Sequence, residues 1–272
     1  MTRYGMAIDM DHCIGCQTCV VSCQLNNALR PGTSRNSVDM LEWGRWPEGD
    51  LAFFAHACIH CESPLCVDVC PTGASKKRDD GIVVVDHELC IGCGVCITAC
   101  EYGARSINVR DGFHYGENSP APYEAKGMQP INVADKCTFC FERIDDGLQP
   151  ACVSDCIAGV RAFGDLDDPA SPVNAFIAER GCTPVPGSSL YYGFGTRNLD
   201  AKALITENYY RSAKADRERQ ETEAPPFNPA VVGTAAVAAA ATATALGVSA
   251  KRSRAKRKTG GQGKTRARDA RN

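Results

Sequence analysis

The chain has 272 residues, of which seventeen are cysteines, and a formal net charge of −2. Residues 251–272 carry ten Lys or Arg and one Asp, a charge of +9, which leaves −11 on residues 1–250. An acidic body argues against nucleic-acid binding, and a cysteine content this high indicates either a disulfide framework or a metal-binding protein.

Sixteen of the seventeen cysteines fall into four groups of four. The first and third groups have the spacing C-x2-C-x2-C-x3-C, with which bacterial ferredoxins bind [4Fe–4S] clusters. Three thiolates of such a group hold one cluster, and the fourth reaches a different cluster. Four thiolates per cluster predict four clusters and a chain that transfers electrons. The groups are Cys13, Cys16, Cys19 and Cys23; Cys58, Cys61, Cys66 and Cys70; Cys90, Cys93, Cys96 and Cys100; and Cys137, Cys140, Cys152 and Cys156.

Disulfides and zinc are the two competing uses of these thiols. Disulfide scaffolds are usually shorter and do not repeat C-x2-C units, and the sequence shows no N-terminal signal peptide. Zinc sites pair two C-x2–4-C elements, so the second and fourth groups taken alone resemble zinc sites. The triple spacing leaves one thiol too many for a tetrahedral zinc ion. A zinc-bound structural protein therefore stays as the minor alternative.

An internal repeat predicts which cysteines share a cluster. A short apolar strand, an acidic turn and a cysteine loop occur at residues 5–16 and again at residues 81–93. Only 19 residues separate Cys70 from Cys90, so the second and third groups resemble a complete two-cluster ferredoxin inserted into an outer one. Exchange of the fourth ligand within each pair predicts four ligand sets: set 1 (Cys13, Cys16, Cys19, Cys156), set 2 (Cys23, Cys137, Cys140, Cys152), set 3 (Cys58, Cys61, Cys66, Cys100) and set 4 (Cys70, Cys90, Cys93, Cys96).

A few residues outside these sets carry weaker predictions. Cys182 lies outside any spacing and is predicted to be a plain thiol. His60, between the first two cysteines of the second group, is predicted either to donate to a cluster sulfur or to fill space beside a cluster. Trp43, Trp46 and the segment 108–130 are predicted to cover clusters, with a partner docking surface as the alternative. Because no phosphate-binding or catalytic motif is present, no substrate of its own is expected.

The sequence after residue 206 has a different character. Residues 207–228 are charged and contain proline, which predicts a linker. Residues 229–250 are uncharged over a length that can span a bilayer, although they are only mildly apolar, so a disordered Ala-rich tail is the alternative to a transmembrane helix. Residues 251–272 are predicted to be a disordered basic tail.

Two localisations follow from this C-terminal segment. If it spans the membrane, its basic end stays in the cytoplasm, and the cluster domain lies on the extracytoplasmic face after export together with a signal-bearing partner. The alternative is a cytoplasmic protein that is peripheral to the membrane, with the basic tail on acidic lipids.

The cysteine groups in this order resemble the four-cluster iron–sulfur subunits that accompany molybdenum or tungsten enzymes of the dimethyl sulfoxide reductase family. The resemblance extends over about residues 3–180 and includes Cys-Ile-Gly-Cys at 13–16 and 90–93, Cys-Pro-Thr-Gly-Ala at 70–74 and Lys-Cys-Thr-Phe-Cys at 136–140. It implies a molybdopterin-containing catalytic subunit as one partner. It implies a quinone-linked membrane subunit or another carrier as the second.

Together these features predict an α+β protein made of two interlocked bacterial-ferredoxin-like modules. The four-cluster domain is expected at residues 1–206, with the inner ferredoxin at 51–107. The predicted function is non-catalytic electron transfer within an anaerobic respiratory oxidoreductase. A polyferredoxin subunit of a hydrogenase or carbon monoxide dehydrogenase is the alternative. The substrate of the catalytic partner, the direction of electron flow, and the potentials and order of the clusters stay open.

Overall fold

The computed structural model describes residues 2–45, 47–107, 109, 111–115, 119–195 and 204. The predicted linker at 207–228, the predicted transmembrane helix at 229–250 and the predicted basic tail at 251–272 lie outside the described residues, as does Trp46. Among the described residues, no helix combines the length and the apolar character that crossing a membrane requires.

Short strands and helices alternate along the described chain, which gives an α+β fold with loops between the elements. The strands are β1 Tyr4–Asp9, β2 Asn36–Trp43, β3 Asp50–Ala57, β4 Ser75–Lys77, β5 Val83–Val85, β6 Ser106–Ile107, β7 Ala134–Asp135, β8 Arg161–Asp165, β9 Thr183–Pro184 and β10 Leu190–Gly193. The helices are α1 Thr18–Asn26, α2 Leu65–Asp68, α3 Val95–Thr98, α4 Phe141–Asp145, α5 Ala151–Ser154 and α6 Pro172–Arg180, with a 3-10 turn at Glu124–Lys126.

The largest sheet joins the beginning of the chain to residues well beyond the fourth cysteine group. Its strand order is β8-β1-β10-β9, with β1 parallel to β10 and antiparallel to β8. Ala7 lies opposite Tyr191 on one side and opposite Ala162 on the other. Because β1 ends just before the first cysteine group and β8 begins just after the fourth, their antiparallel pairing brings these two groups to the same edge of the sheet.

Three two-stranded ribbons accompany this sheet. β2 pairs with β3 between the first and second cysteine groups, β4 pairs with β5 between the second and third, and β6 pairs with β7 between the third and fourth. Helix α1 packs on α5, and α2 packs on α3. Helices from the first and fourth groups are therefore neighbours, and so are helices from the second and third.

A mixed aromatic and aliphatic core holds these pieces together. Phe54, Phe139, Phe163 and Tyr192 pack with aliphatic side chains of the central sheet, and all four are at most 3% exposed. The buried Tyr192 hydroxyl donates to the carbonyl oxygen of Ala55 at 3.0 Å, which satisfies its polar end. The core thus ties the β2–β3 ribbon to strand β10 of the sheet.

Candidate iron–sulfur sites

The residue before the second cysteine has a left-handed backbone in all four cysteine groups. These residues are Gly15 (φ 65°), His60 (φ 48°), Gly92 (φ 67°) and Phe139 (φ 54°). This conformation costs a residue with a side chain about 1–2 kcal/mol, and glycine avoids that cost, which accounts for glycine in the two Cys-Ile-Gly-Cys loops. The shared backbone shows that the four loops are built alike.

A short helix carries the third cysteine of each group. These residues are Cys19 in α1, Cys66 in α2, Cys96 in α3 and Cys152 in α5, and the fourth cysteine follows four residues later in each group. Helix α1 also contains the fourth cysteine of its group, Cys23, whereas α2, α3 and α5 each end two residues before theirs. Cysteines of two different predicted sets therefore lie on each helix or just beyond its end.

The four cysteines of set 2 line one cavity together with Cys58 of set 3, although Cys23 and Cys152 are far apart in sequence. Met6, Ile8 and Leu190 give this cavity apolar walls, and Arg35 and Arg161 add positive charge. The cavity therefore brings together cysteines from the first and fourth groups.

The four cysteines of set 1 line a second cavity. Its walls include Ile14, Val38, Val160 and again Arg161. Burial, together with the neighbouring thiolates of set 1, raises the pKa of Cys13. As in set 2, the cavity collects thiols from both ends of the cysteine-rich region.

Three cysteines of set 3, Cys61, Cys66 and Cys100, line a third cavity together with Tyr102. The fourth member, Cys58, is close enough to act on its neighbours. Burial, followed by the thiolates of Cys58, Cys66 and Cys100, raises the pKa of Cys61 to about 12. This cavity therefore brings together cysteines from the second and third groups.

Set 4 is described by the individual contacts of its cysteines. The sulfur of Cys70 accepts a hydrogen bond from the backbone N–H of Ser75 at 3.4 Å, and the sulfur of Cys90 accepts one from Ala134 at 3.3 Å. N–H donors of this kind stabilise negative charge on sulfur. Cys93 is exposed, and Cys96 is buried in α3.

The donor chemistry of these sites fits iron–sulfur clusters. Sets 1 and 2 each provide four thiols in a cavity, and backbone N–H groups and buried guanidinium groups near the cysteines balance negative charge. No three His, Cys, Asp or Glu side chains of the described residues converge closely enough to hold a single metal ion. Burial raises the pKa of Cys137 to about 12 and that of Cys152 to about 11, so both thiols would have to lose a proton to act as ligands.

Two buried arginines near the cysteines escaped the sequence interpretation. Arg161 donates to the sulfur of Cys19 at 3.4 Å, and Arg105 donates to the hydroxyl of Ser75 at 2.8 Å. Each stands five residues after the fourth cysteine of its group, in Cys100-x2-Gly-Ala-Arg105 and Cys156-x2-Gly-Val-Arg161. This repeated C-x2-G-[AV]-R pattern was the available sequence signal.

A third buried arginine, Arg35, is paired with a carboxylate. Its Nε and Nη2 atoms each donate to an Asp135 oxygen at 2.8 Å, and both side chains are at most 5% exposed. The buried Lys136 next in sequence donates to the carbonyl oxygens of Val83 and Cys137. Lys136 begins the Lys-Cys-Thr-Phe-Cys motif, whereas no sequence pattern marked Arg35 or its pairing with Asp135.

The remaining predicted residues have distinct surroundings. His60 is 1% exposed; its Nδ1 accepts from the N–H of Val83 at 3.0 Å, and its Nε2 has no hydrogen-bond partner among the described residues. Cys182 is buried in a small cluster with Ala7 and Val173. Trp43 ends strand β2. The roles predicted for His60, Cys182 and the two tryptophans stay predictions.

Comparison with known proteins agrees with the cysteine pattern. Two models of a 4Fe-4S dicluster domain match the chain, one at residues 49–115 and 116–166 and the other at residues 12–74. The matched segments together contain all four cysteine groups. The chain therefore carries 4Fe–4S dicluster domains, and two such domains fit four clusters.

Several curated proteins share this region. A proposed iron–sulfur subunit of a dimethyl sulfoxide reductase from Halobacterium salinarum is 42% identical over 192 residues, which cover 66% of this chain and 72% of that protein. A subunit of the tetrathionate reductase of Salmonella typhimurium is 40% identical over 63% of this chain and 61% of its own length. A subunit of the anaerobic dimethyl sulfoxide reductase of Escherichia coli is 37% identical over 61% of this chain and 76% of its own length.

Proposed function

Because the chain belongs to the iron–sulfur electron-transfer subunits of the dimethyl sulfoxide reductase family, we propose that it relays electrons through four [4Fe–4S] clusters between a catalytic subunit and a second redox partner. Subunits of this family carry electrons and do not catalyse the substrate reaction themselves. The observation that carries the proposal is the convergence, in shared cavities, of cysteines from distant groups. The proposed ligands are the sixteen cysteines of sets 1 to 4.

Contacts between the sets support a linear order of clusters. Sets 1 and 2 are neighbours because Arg161 lines both cavities. Sets 2 and 3 are neighbours because the thiolate of Cys58, in set 3, contributes to the raised pKa of Cys137, in set 2. Burial of Cys137 is the larger cause of that shift. Sets 3 and 4 are neighbours because thiolates of both, Cys66 and Cys96, act on the charge of Arg105. The proposed path therefore runs from set 1 through sets 2 and 3 to set 4.

The exposure of the cysteines supports the same assignment of the two ends of this path. Cys16 of set 1 and Cys93 of set 4 are exposed, whereas Cys23, Cys140 and Cys152 of set 2 are buried. Electrons would enter at one exposed end and leave at the other, with set 2 shielded between them. The clusters at sets 1 and 4 are thus the proposed points of exchange with partners.

Apolar side chains lie beside both proposed ends. Ile14 is 57% exposed and Ile91 is 67% exposed, and each follows the first cysteine of a Cys-Ile-Gly-Cys loop. Exposed apolar residues next to a redox centre suit contact with another protein, because such a contact removes the apolar side chains and the redox centre from water. We propose that these two surfaces meet the two partners, a molybdopterin-containing catalytic subunit and a quinone-linked membrane subunit or other carrier.

The residues of this chain prepare each site for one-electron transfer. When bound, a [4Fe–4S] cluster supplies a centre that gains or loses one electron. The thiolates hold it, the apolar walls of the cavities exclude water, and N–H groups such as that of Ala134 donate to the ligand sulfurs. These features set the reduction potential, because hydrogen bonds, burial and nearby charge stabilise the reduced and oxidised forms unequally.

Membrane association is proposed on the sequence of the C-terminal region. Residues 229–250 are the proposed transmembrane helix, following a linker at 207–228, with the four-cluster domain at 1–206 on the extracytoplasmic face through co-export. A cytoplasmic protein bound peripherally through its basic tail is the alternative. Protease accessibility of a tag on the four-cluster domain, tested in intact spheroplasts, separates the two topologies: cleavage supports the extracytoplasmic domain, and protection supports the cytoplasmic protein.

The first experiment is elemental analysis of the native complex, purified without oxygen through a tag on this chain. About sixteen irons per chain, at four per cluster, with molybdenum or tungsten in the complex, is the expected result. Iron accompanied by nickel, or by no further metal, would instead favour the polyferredoxin of a hydrogenase or carbon monoxide dehydrogenase. Zinc in place of iron would overturn electron transfer.

A further inference from the structure

Arg161 is a buried cation whose hydrogen bonds reach sulfur atoms. It is 7% exposed, and its guanidinium donates to the sulfur of Cys19 at 3.4 Å and to that of Met6 at 3.8 Å. A buried charge is costly unless opposite charge lies close to it. The Arg161 side chain also lines the cavities of both set 1 and set 2, so the sulfurs of two neighbouring sets supply that opposite charge.

Arg105 occupies the corresponding position in the inner module. It is 4% exposed, and although one nitrogen donates to the hydroxyl of Ser75 at 2.8 Å, its Nε and Nη2 atoms have no hydrogen-bond partner among the described residues. Ser75 in turn donates its backbone N–H to the sulfur of Cys70 in set 4, and Arg105 follows Cys100 of set 3 by five residues. Arg105 therefore also lies beside two neighbouring sets.

The two-module arrangement makes these two positions equivalent, because each lies after the second cysteine group of its module. Each arginine follows the fourth cysteine of its group by five residues, and each stands at the start of a strand, β8 for Arg161 and immediately before β6 for Arg105. One cation is thus built into each module, at the boundary between its two sets.

We propose that Arg161 and Arg105 are charge-compensating residues, each of which raises the reduction potentials of both clusters of one pair. The inference rests on the proposed function, because it requires clusters in sets 1 to 4. A cluster that accepts one electron becomes more negative by one unit. A fixed cation beside it stabilises that reduced form, strongly so in a buried, weakly polarisable site. Arg161 acts on sets 1 and 2, and Arg105 acts on sets 3 and 4.

The test is a redox titration of the anaerobically purified complex, followed by electron paramagnetic resonance. The wild type is compared with the variants Arg161→Gln, Arg161→Lys and Arg105→Gln. The control is Arg3→Gln, because the Arg3 side chain is 39% exposed and is paired with Asp167. Iron per chain is measured on every sample, so that the number of clusters is known before any potential is interpreted.

We expect Arg161→Gln to lower the potentials of two of the four clusters and Arg105→Gln to lower those of the other two. The ratio of reduced to oxidised cluster at a given potential should fall at least about tenfold, which is about 59 mV for a one-electron couple. Arg161→Lys, which keeps the charge, should stay closer to the wild type than Arg161→Gln does. Arg3→Gln should leave the reduction potentials of all four clusters unchanged.

Several outcomes would overturn the inference. Full iron content with unshifted potentials would remove the proposed role, and so would an equal shift of all four clusters. If the Arg161→Gln protein lacks clusters, the iron content of Arg161→Lys is the deciding measurement. Full iron in Arg161→Lys would show that the positive charge is what the site requires. Loss of iron in both variants would contradict the proposed role of the charge. Fewer than four clusters in the wild type would overturn the proposed function itself, which the iron measurement reveals independently of the potentials.

Discussion

The imidazole ring of His60 lies on the phenyl ring of Phe139, with ring centroids 3.7 Å apart and an angle of 23° between the planes. Both residues precede the second cysteine of their group, both have positive φ, and each is 1% exposed. The left-handed backbone that glycine adopts in the other two loops is adopted here by two residues with large side chains, which stack on each other. This contact joins a loop of set 3 to a loop of set 2.

Phe139→Ala should therefore weaken the junction between the two modules. Removing a fully buried phenyl ring costs about 3–5 kcal/mol, and the stacked His60 ring loses its partner as well. The measurement is the urea concentration at which the visible absorption of the clusters is half lost. Tyr115→Ala, at a position that is 74% exposed, is the matched control and should change stability by about 0.5 kcal/mol or less. Equal losses in the two variants would contradict the structural role of the stack.

Asp135→Asn should destabilise the protein through Arg35. Burial alone would raise the pKa of Asp135, but the His87 ring, 3.7 Å from one carboxylate oxygen, and the charge of Arg35 outweigh it and hold the pKa at about 2. Without the carboxylate, the buried Arg35 loses the acceptor of two hydrogen bonds and its nearest opposite charge, and the expected cost is about 3–5 kcal/mol. Denaturant unfolding at pH 7 measures it. The control, Asp111→Asn, breaks an ion pair whose carboxylate is 81% exposed and should cost about 0–1 kcal/mol.

Gly92→Ala should prevent normal assembly of the set 4 loop. Gly92 has φ +67°, and an added Cβ would lie 2.0 Å from the carbonyl oxygen of Asn132. Gly73 has nearly the same backbone, φ +66°, but an added Cβ would have no atom within 4 Å. The left-handed backbone costs both variants about 1–2 kcal/mol, so only the collision separates them. We expect iron per chain to fall in Gly92→Ala and to be retained in Gly73→Ala.

Cys152→Ala and Cys182→Ala should differ in iron content. Cys152 is a proposed ligand in the cavity of set 2, whereas Cys182 is buried against Ala7 and Val173. Loss of one ligand should remove between about one and four irons per chain, and loss of Cys182 should remove none. Iron and acid-labile sulfide are measured on both purified proteins. Loss of a cluster in Cys182→Ala would show that the seventeenth cysteine is a ligand.

The Cys182 thiol should react with alkylating reagents only at high pH. Burial, and then the charge of Asp9, raises the pKa of Cys182 to about 11. Because the thiolate is the reactive form, and because a raised pKa keeps the thiol neutral, the folded protein at pH 8 should be labelled at least about 100-fold more slowly than a free cysteine of pKa about 8.5. Iodoacetamide labelling followed by mass spectrometry, from pH 7 to pH 10, checks this. Labelling of Cys182 in unfolded protein is the positive control, and rapid labelling of the folded chain would contradict the prediction.

Ligand chemistry was readable from the sequence because it is a local property. The spacing within Cys13–Cys23 or Cys90–Cys100 specifies how many thiols one loop can direct at a cluster, whatever surrounds that loop. The family followed from the same motifs, and so did the α+β character. The 4Fe-4S dicluster match over residues 12–74, 49–115 and 116–166 confirms that part of the prediction.

The proposed order of the sets, and the charges beside them, depend on the tertiary structure. Arg161 and Cys19 are 142 positions apart in sequence, and Arg35 and Asp135 are 100 apart, so no local spacing connects them. Their meeting depends on which strands pair: the antiparallel contact of β1 with β8 brings residue 161 to the end of the first strand, beside the first cysteine loop. The sequence by itself determined which atoms can bind iron. The pairing of distant strands and loops determined which thiols share a cavity and which cations lie between the cavities, because electrostatic interactions depend on distance in space and not along the chain.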